Sequence, residues 1–299
     1  MKLFIIGNGF DLAHGIPSRY DPDFKNIAER IEQISYFWDI YQSRDDDIWA
    51  HFENHLANPD FNKLEEIFDG YAPDYYSDYE HDRDAIITQV DLNGKLMDAL
   101  YEFADQAENS INSKRPLSKY EEDFISNGLF ITTNYTHTLE KLYGISRNNV
   151  LHIHGEVGAD NLILGYPEGT YKPETYFYDV RQKGRGPYRK VEFEQHIEDM
   201  IQDGLIDYYT YTAYKALIDK TKSFSKAPRI TLLEDFLKDN IFHEIVVIGH
   251  SCAIDYPYFE YLIKKYPQAK WNFNPFDEDT KENIEKLIKY LGVSNFEIV

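Results

Sequence analysis

The stretch FIIGNGFDLAHGIPSRY, residues 4–20, decides how the rest of the chain is read. The apolar run KLFII ends abruptly at Gly7, as a buried strand does when it enters a turn. Gly7 and Gly9 let the backbone turn sharply and approach a ligand with no side chain between them. A helix starting here would offer free N–H groups and a positive dipole end, which suit a pyrophosphate. A tight strand-to-helix turn without any ligand accounts for the same glycines. The usual dinucleotide spacing G-x-G-x-x-G is missing, because the next glycine is Gly15. No acid closes a second strand roughly twenty residues later, which argues against an ordinary dehydrogenase.

Three further apolar runs resemble the first: GLFITT (128–133), VLHIHG (150–155) and EIVVIGHS (244–251). Helical patterns follow two of them. In YTHTLEKLYG, Leu139, Leu142 and Tyr143 share a face and Gly144 is the stop. DYPYFEYLIKKYP repeats that behaviour after the last run. Strands alternating with helices predict an α/β fold with a parallel sheet covered on both faces. Two mainly helical insertions interrupt it, at about 24–114 and 167–227. The first contains IWAHFENHL, whose Ile48, Phe52 and Leu56 form one stripe, and the polar 69–84 segment. The second opens with the Gly-, Pro- and charge-rich residues 166–190, which read as a mobile surface segment. Ligands of open α/β sheets bind along the carboxyl edge, so the insertions are expected to cap that edge.

Composition narrows the function classes. A formal net charge of -21 over 299 residues opposes a nucleic-acid partner, which needs clustered Lys and Arg. One cysteine, Cys252, excludes an internal disulfide and a multi-cysteine zinc site. No apolar run has the length of a membrane span, and MKLFIIGNGF is too short for a signal peptide. The expectation is an acidic cytoplasmic protein.

The spacing G-x-G-x5-G-I-P resembles the sirtuin superfamily, whose members open with this glycine pair and Gly-Ile-Pro loop around NAD. TTNYT and HIHG follow in the family's order, and IGHS with Asp255 stands in the place of its late Gly-x-Ser. Taken together, IIGNGFDLAHGIP, Trp49 with Phe52 and Glu53, ITTNYTHTLEKLYG, HIHG, LILGY and IGHSCAIDYPY resemble the AbiH family of bacterial abortive-infection proteins. The resemblance implies a single sirtuin-like Rossmann-type domain over 1–299 and a role in defence against phage. It places Gly7, Asn8, Gly9, Gly15 and Pro17 around the nucleotide, with Gly249, Ser251 and Asp255 at the adenosine end. It maps Asn134 onto the nicotinamide ribose, and His154 with Gly155 onto the family's His-Gly pair.

Departures from true sirtuins matter. Without a four-cysteine zinc module, protein deacetylation is not expected. Arg19 and Tyr20 replace the sirtuin Phe-Arg, and Thr136 replaces an acid that would contact the nicotinamide amide. Cleaving NAD between ribose and nicotinamide passes through an oxocarbenium-like state. Asn134 could fix hydroxyls or water, His154 could serve as base near neutral pH, and Asp11 could stabilise positive charge. Asn134 could equally cap a helix, and His154 could be a hydrogen-bonded strand-end histidine. His152 and His154 point to one strand face and could share a metal with an acid, but no third ligand is apparent, so no metal is expected. Trp49 and Phe52 read as core; Glu53 is either a surface charge or a pocket carboxylate. His14 and His250 are placed near the cleft by position alone.

The expectation is therefore a phage-defence effector that binds NAD or a related nucleotide and hydrolyses its N-glycosidic bond. The alternative is a catalytically silent nucleotide-binding sensor or scaffold acting through a partner. A phage-derived trigger and self-association complete the expected partners, with neither nucleic acid nor membrane among them.

Overall fold

The computed structural model describes residues 1–30, 39–41, 48–49, 52–61, 63–64, 66, 93–124, 128–171, 174–177 and 189–299. The chain divides into two compact units. One comprises Met1–Ile27, Met97–Pro167 and Lys226–Val299, the other Ala28–Leu96 and Glu168–Ser225.

The first unit is built on a six-stranded sheet: β1 (Lys2–Ile6), β2 (Gly128–Thr132), β3 (Val150–His152), β4 (Glu244–Ile248), β5 (Lys270–Asn274) and β6 (Phe296–Ile298). The strand order is β6-β5-β4-β1-β2-β3 and every neighbouring pair is parallel. The chain works outward from β1 to β3, then restarts on the other side of β1 at β4. That is the doubly wound Rossmann order, with its topological switch between β1 and β4. The four apolar runs of the sequence are the four strands around this switch.

Alternation along the strands sends side chains to two cores, because successive residues of a strand face opposite ways. Leu3, Ile5, Leu129, Ile131, Ile245 and Val247 pack on one face. There they meet helices α5 (Ile230–Leu237), α6 (Tyr256–Lys265) and α7 (Glu278–Leu291), through residues such as Leu233, Phe259 and Leu287. Phe4, Ile6, Phe130, Val246 and Ile248 face the other way. They are covered by Phe10 of α1 (Asn8–Ala13), Phe124 of α3 (Ser118–Phe124) and Leu139 of α4 (Thr138–Tyr143). The α2 helix (Asn93–Ser110) adds Ala107, which packs with Ile16 and Ile111. Phe4 and Phe130 stack at 4.7 Å between centroids. Each such fully buried side chain contributes about 1.5–3 kcal/mol relative to exposure, before chain entropy is charged against it.

In the second unit, helices Phe193–Gln202 and Tyr208–Ser223 lie where helical spacing predicts them. Phe61 stacks on Phe193 at 3.9 Å, and buried Tyr41 shares a 2.7 Å hydrogen bond with Thr221. Trp49 and Phe52 are buried and stacked, matching their reading as core, and Glu53 is buried rather than a surface charge. Glu174–Phe177 and Arg189–Glu192 pair antiparallel. The rest of the expected mobile segment, and the 69–84 loop, lie largely or wholly outside the described residues. No described helix is long and apolar enough to cross a membrane.

Candidate functional site

Because all six strands run the same way, the segments after β1, β2, β3 and β4 emerge at one edge of the sheet. They carry Gly7, Asn134, His154 and Gly249 in turn. The turn after β1 and the loop after β4 meet there. Gly7 N–H donates to Ile248 O at 2.9 Å and Gly9 N–H to Gly249 O at 2.7 Å. A Cβ on Gly7 would lie 2.4 Å from His250 Cα, and one on Gly249 2.4 Å from Phe10 N. Gly249 also has a φ of +62°, a left-handed backbone that side chains disfavour. These glycines are required by the mutual approach of two backbones at the switch point. That packing accounts for the glycines in the way of the second reading the sequence left open, a tight turn needing no ligand. The N–H groups of Gly7 and Gly9 are already committed to the β4 segment, and α1 has only six residues. Asn8 bonds Ser18 through both ends of its amide, to the carbonyl at 2.7 Å and from the hydroxyl at 2.6 Å, so it holds the Gly15–Pro17 loop. Gly15 itself, at φ +68°, ends α1 by donating to Leu12 O.

Asp11 lies on α1 and is 1% exposed. Its Oδ2 accepts from Thr136 Oγ1 at 2.5 Å, and Thr136 shares a 3.1 Å hydroxyl contact with Thr138. Burial pushes the Asp11 carboxyl up to about 6, against hydrogen bonds from Thr136, Thr138 and Asn134 that pull it down. Asn134 takes its place from Thr132, whose Oγ1 receives the Asn134 N–H at 3.0 Å. Its Nδ2 donates to Gly7 O at 3.2 Å, tying the β2 edge to the glycine turn. Among the described residues, Asp11 Oδ1 and Asn134 Oδ1 are buried without a hydrogen-bond partner. Thr136 thus fills the position where the resemblance expects an acid and, instead of facing a ligand, is spent on Asp11.

His154 stands just after β3, inside a turn clasped by Tyr135: Tyr135 O accepts from Val157 N–H at 2.9 Å, and its hydroxyl reaches Ile163 O at 2.7 Å. His154 Nε2 lies 3.2 Å from Asp255 Oδ1, close enough for charge pairing but misaligned for a hydrogen bond. Asp255 comes from the β4 side, so the pair spans the ends of β1 and β2. His250 Nε2 sits 3.4 Å from the other Asp255 oxygen, while its Nδ1 accepts from Cys252 N–H at 3.0 Å. An accepting Nδ1 places the His250 proton on Nε2, facing the carboxylate. Burial alone would raise the Asp255 carboxyl. The charges of His154 and of Lys226, 3.8 Å away, outweigh that and hold it well below the usual carboxylate range. Ser251, placed at the adenosine end by the resemblance, is exposed beside this cluster.

Two sequence readings change. His152 and His154 do not share a site: His152 Nε2 turns to Glu140 Oε1 at 3.0 Å, toward His137, rather than toward Asp255. The third ligand that spacing failed to supply comes from elsewhere, since His137, His152 and Glu156 bring one ligand atom each within 4.8 Å of one another. His14 is a packing residue. Its Nδ1 meets Phe10 O at 2.7 Å and its Nε2 the Tyr143 hydroxyl at 2.8 Å, amid Phe10, Tyr120 and Tyr143. Residues that sequence reasoning passed over are Thr138, Lys226, His137, Glu108 and Glu156. His137 and Thr138 lay inside a stretch already singled out, YTHTLEKLYG.

Comparison with known proteins bears on this arrangement. The family described as bacteriophage abortive infection AbiH matches residues 3–275, which hold all or nearly all of each described strand of the six-stranded sheet except the edge strand β6. The chain belongs to the AbiH family. No curated protein matches this AbiH chain. Similar solved structures are sirtuins. One, bound to a propionylated peptide, is 17% identical, with 98% of this chain and 94% of that chain covered at a TM-score of 0.33. Another, a Sir2 with a p53 peptide and NAD+, is 15% identical over the same shares, also at 0.33. A third, on sirtuin substrate affinity, is 16% identical over 97% and 93%, at 0.34. Overlaps this loose carry no argument about the AbiH site, which stands on its own geometry.

Proposed function

We propose that this AbiH chain is an abortive-infection effector that binds NAD or a related nucleotide at the carboxyl edge of its sheet and hydrolyses the N-glycosidic bond. The observation that carries this reading is a coincidence of three atoms. Asp11 Oδ1, Asn134 Oδ1 and His154 Nε2 are buried polar atoms without a hydrogen-bond partner among the described residues, and His154 Nε2 has only its misaligned 3.2 Å charge contact with Asp255. Native proteins leave few such atoms, and those that remain ask for an explanation such as a ligand. All three belong to residues the chemistry of glycoside cleavage calls for. In that reaction the ribose C1–N bond breaks, nicotinamide departs neutral, and water adds to C1 while losing a proton. Asn134 would hold ribose hydroxyls or the water, His154 would take the proton, and Asp11 would face the developing cation. Asp255 would orient the His154 ring.

A catalytically silent sensor is the second reading, favoured by the internal bonds Thr136–Asp11 and Asn134–Gly7 and by the committed N–H of Gly9. Nicotinamide release from NAD separates the two, measured with and without a phage-derived activator. For the enzyme, His154→Ala lowers turnover by about 100- to 10,000-fold while nucleotide affinity holds, because a base acts mainly in the transition state. Activated wild type that binds NAD and never releases nicotinamide establishes the sensor.

A further inference from the structure

A second cluster of chemistry-bearing side chains lies behind Asn134 and takes no part in the reading above. His137 stands immediately before α4, and its Nδ1 meets Glu108 Oε1 at 2.9 Å. His152, at the end of β3, places its Nδ1 3.0 Å from the main-chain oxygen of Asn134. Both partners are acceptors, so both rings carry their proton on Nδ1 and turn Nε2 inward. Inward lie two further carboxylates: Glu156 Oε2, 3.1 Å from His137 Nε2, and Glu140 Oε1, 3.0 Å from His152 Nε2. Imidazole nitrogens and carboxylate oxygens are both metal donors, and here they face one another across short gaps. Glu140 Oε2 is buried without a hydrogen-bond partner, which leaves anionic capacity unspent inside the cluster.

We propose that His137, His152 and Glu156 bind a divalent transition metal, zinc foremost, with water in the remaining position. Two imidazoles and carboxylate oxygens are a zinc-type donor set, whereas magnesium and calcium prefer oxygen alone. Tetrahedral zinc with bonds of about 2.0–2.2 Å holds its ligands roughly 3.4 Å apart; His137 Nε2 and Glu156 Oε2 are 3.1 Å apart, and all three ligand atoms lie within 4.8 Å of one another. The outer contacts are those of metal-bound histidines, with one Nδ1 on a carboxylate and the other on a main-chain carbonyl. His137 and Glu156 keep 23% and 19% of their side chains exposed, which gives the ion a way in. Arg147 pairs with Glu156 Oε1 and leaves Oε2 to the metal. Bound there, the ion would pin the segment carrying Asn134 to the turn carrying His154. The binding itself does not depend on the glycohydrolase reading.

The test uses untagged full-length protein stripped with a chelator, then titrated with zinc by calorimetry and with cobalt by visible absorption. The expected result is one zinc per chain, a raised melting temperature, and the strong visible bands of four-coordinate cobalt. Glu108→Gln, which touches only the outer contact, should weaken zinc about 10- to 100-fold. His137→Gln and Glu156→Gln should abolish the cobalt bands while circular dichroism reports a folded chain. Wild type that takes up neither ion at micromolar concentration overturns the proposal. So does unchanged zinc affinity in both His137→Gln and Glu156→Gln, which would leave the cluster a hydrogen-bonded network only.

Discussion

Asp11 holds its proton to about 6 in the folded chain against an ordinary 3.8, because burial costs its charge more than two threonine hydroxyls and an amide return. A raised folded value means stability that is full below 3.8 and lost as pH rises through 6. The magnitude is about 3 kcal/mol. Asp255 has the opposite sign: its depressed value contributes stability above 3.8 that disappears as pH falls into the acid range. Thermal unfolding followed from pH 3 to 8 should therefore peak between about 4 and 6. Asp11→Asn should flatten the descent between 4 and 7 and raise the melting temperature at pH 8; an unchanged slope would refute the assignment to Asp11. At this scale the sequence was informative wherever a polar residue directly follows an apolar run, as Asn134 and His154 do. Partners fixed by long-range packing, such as Lys226 beside Asp255 or Glu108 beside His137, left no local trace.

The turn after β1 and the loop after β4 act as one element, since each leaves room for the other only through glycine. Gly249→Ala must bear both left-handed strain and a Cβ 2.4 Å from Phe10 N. Gly144→Ala has a similar φ of +66° but meets nothing within 4 Å. Urea midpoints should separate them: Gly144→Ala loses about 1–2 kcal/mol, and Gly249→Ala clearly more. Equal losses would mean that the close approach is not needed. Strands β1 to β4 were legible because they are continuously apolar runs buried on both faces. Strand β5, KWNFN, was not, because only alternate residues are buried and Lys270 and two asparagines interrupt its pattern. Strand β6 is a three-residue edge whose Phe296 and Glu297 are exposed, and it carries no apolar signature.

For the whole molecule, membership in an abortive-infection family makes phage challenge the relevant measurement. Cells producing wild type should yield fewer plaques than controls, and Asn134→Ala should abolish protection while the purified variant unfolds within a few degrees of wild type. Its lost amide bond to Gly7 O is a single contact worth about 1 kcal/mol. Full protection by Asn134→Ala would remove the cleft from the mechanism. The sequence set apart insertions at about 24–114 and 167–227, which overlap the two segments of the second unit, but did not announce that these form one unit, because they lie far apart in the chain.

Cys252 gives this chain a built-in clock. The thiol is fully buried between the β4 edge and α6, and burial together with the nearby Asp255 charge pushes its ionisation far up. A thiolate is the reactive species, so the native protein should resist thiol reagents. Reaction then waits for the His250–Asp255 loop to open, and the rate of labelling times that event. With one cysteine in the chain, the signal comes from one place. Any nucleotide that closes the loop would slow the clock, which makes ligand screening feasible before a substrate or a trigger is known.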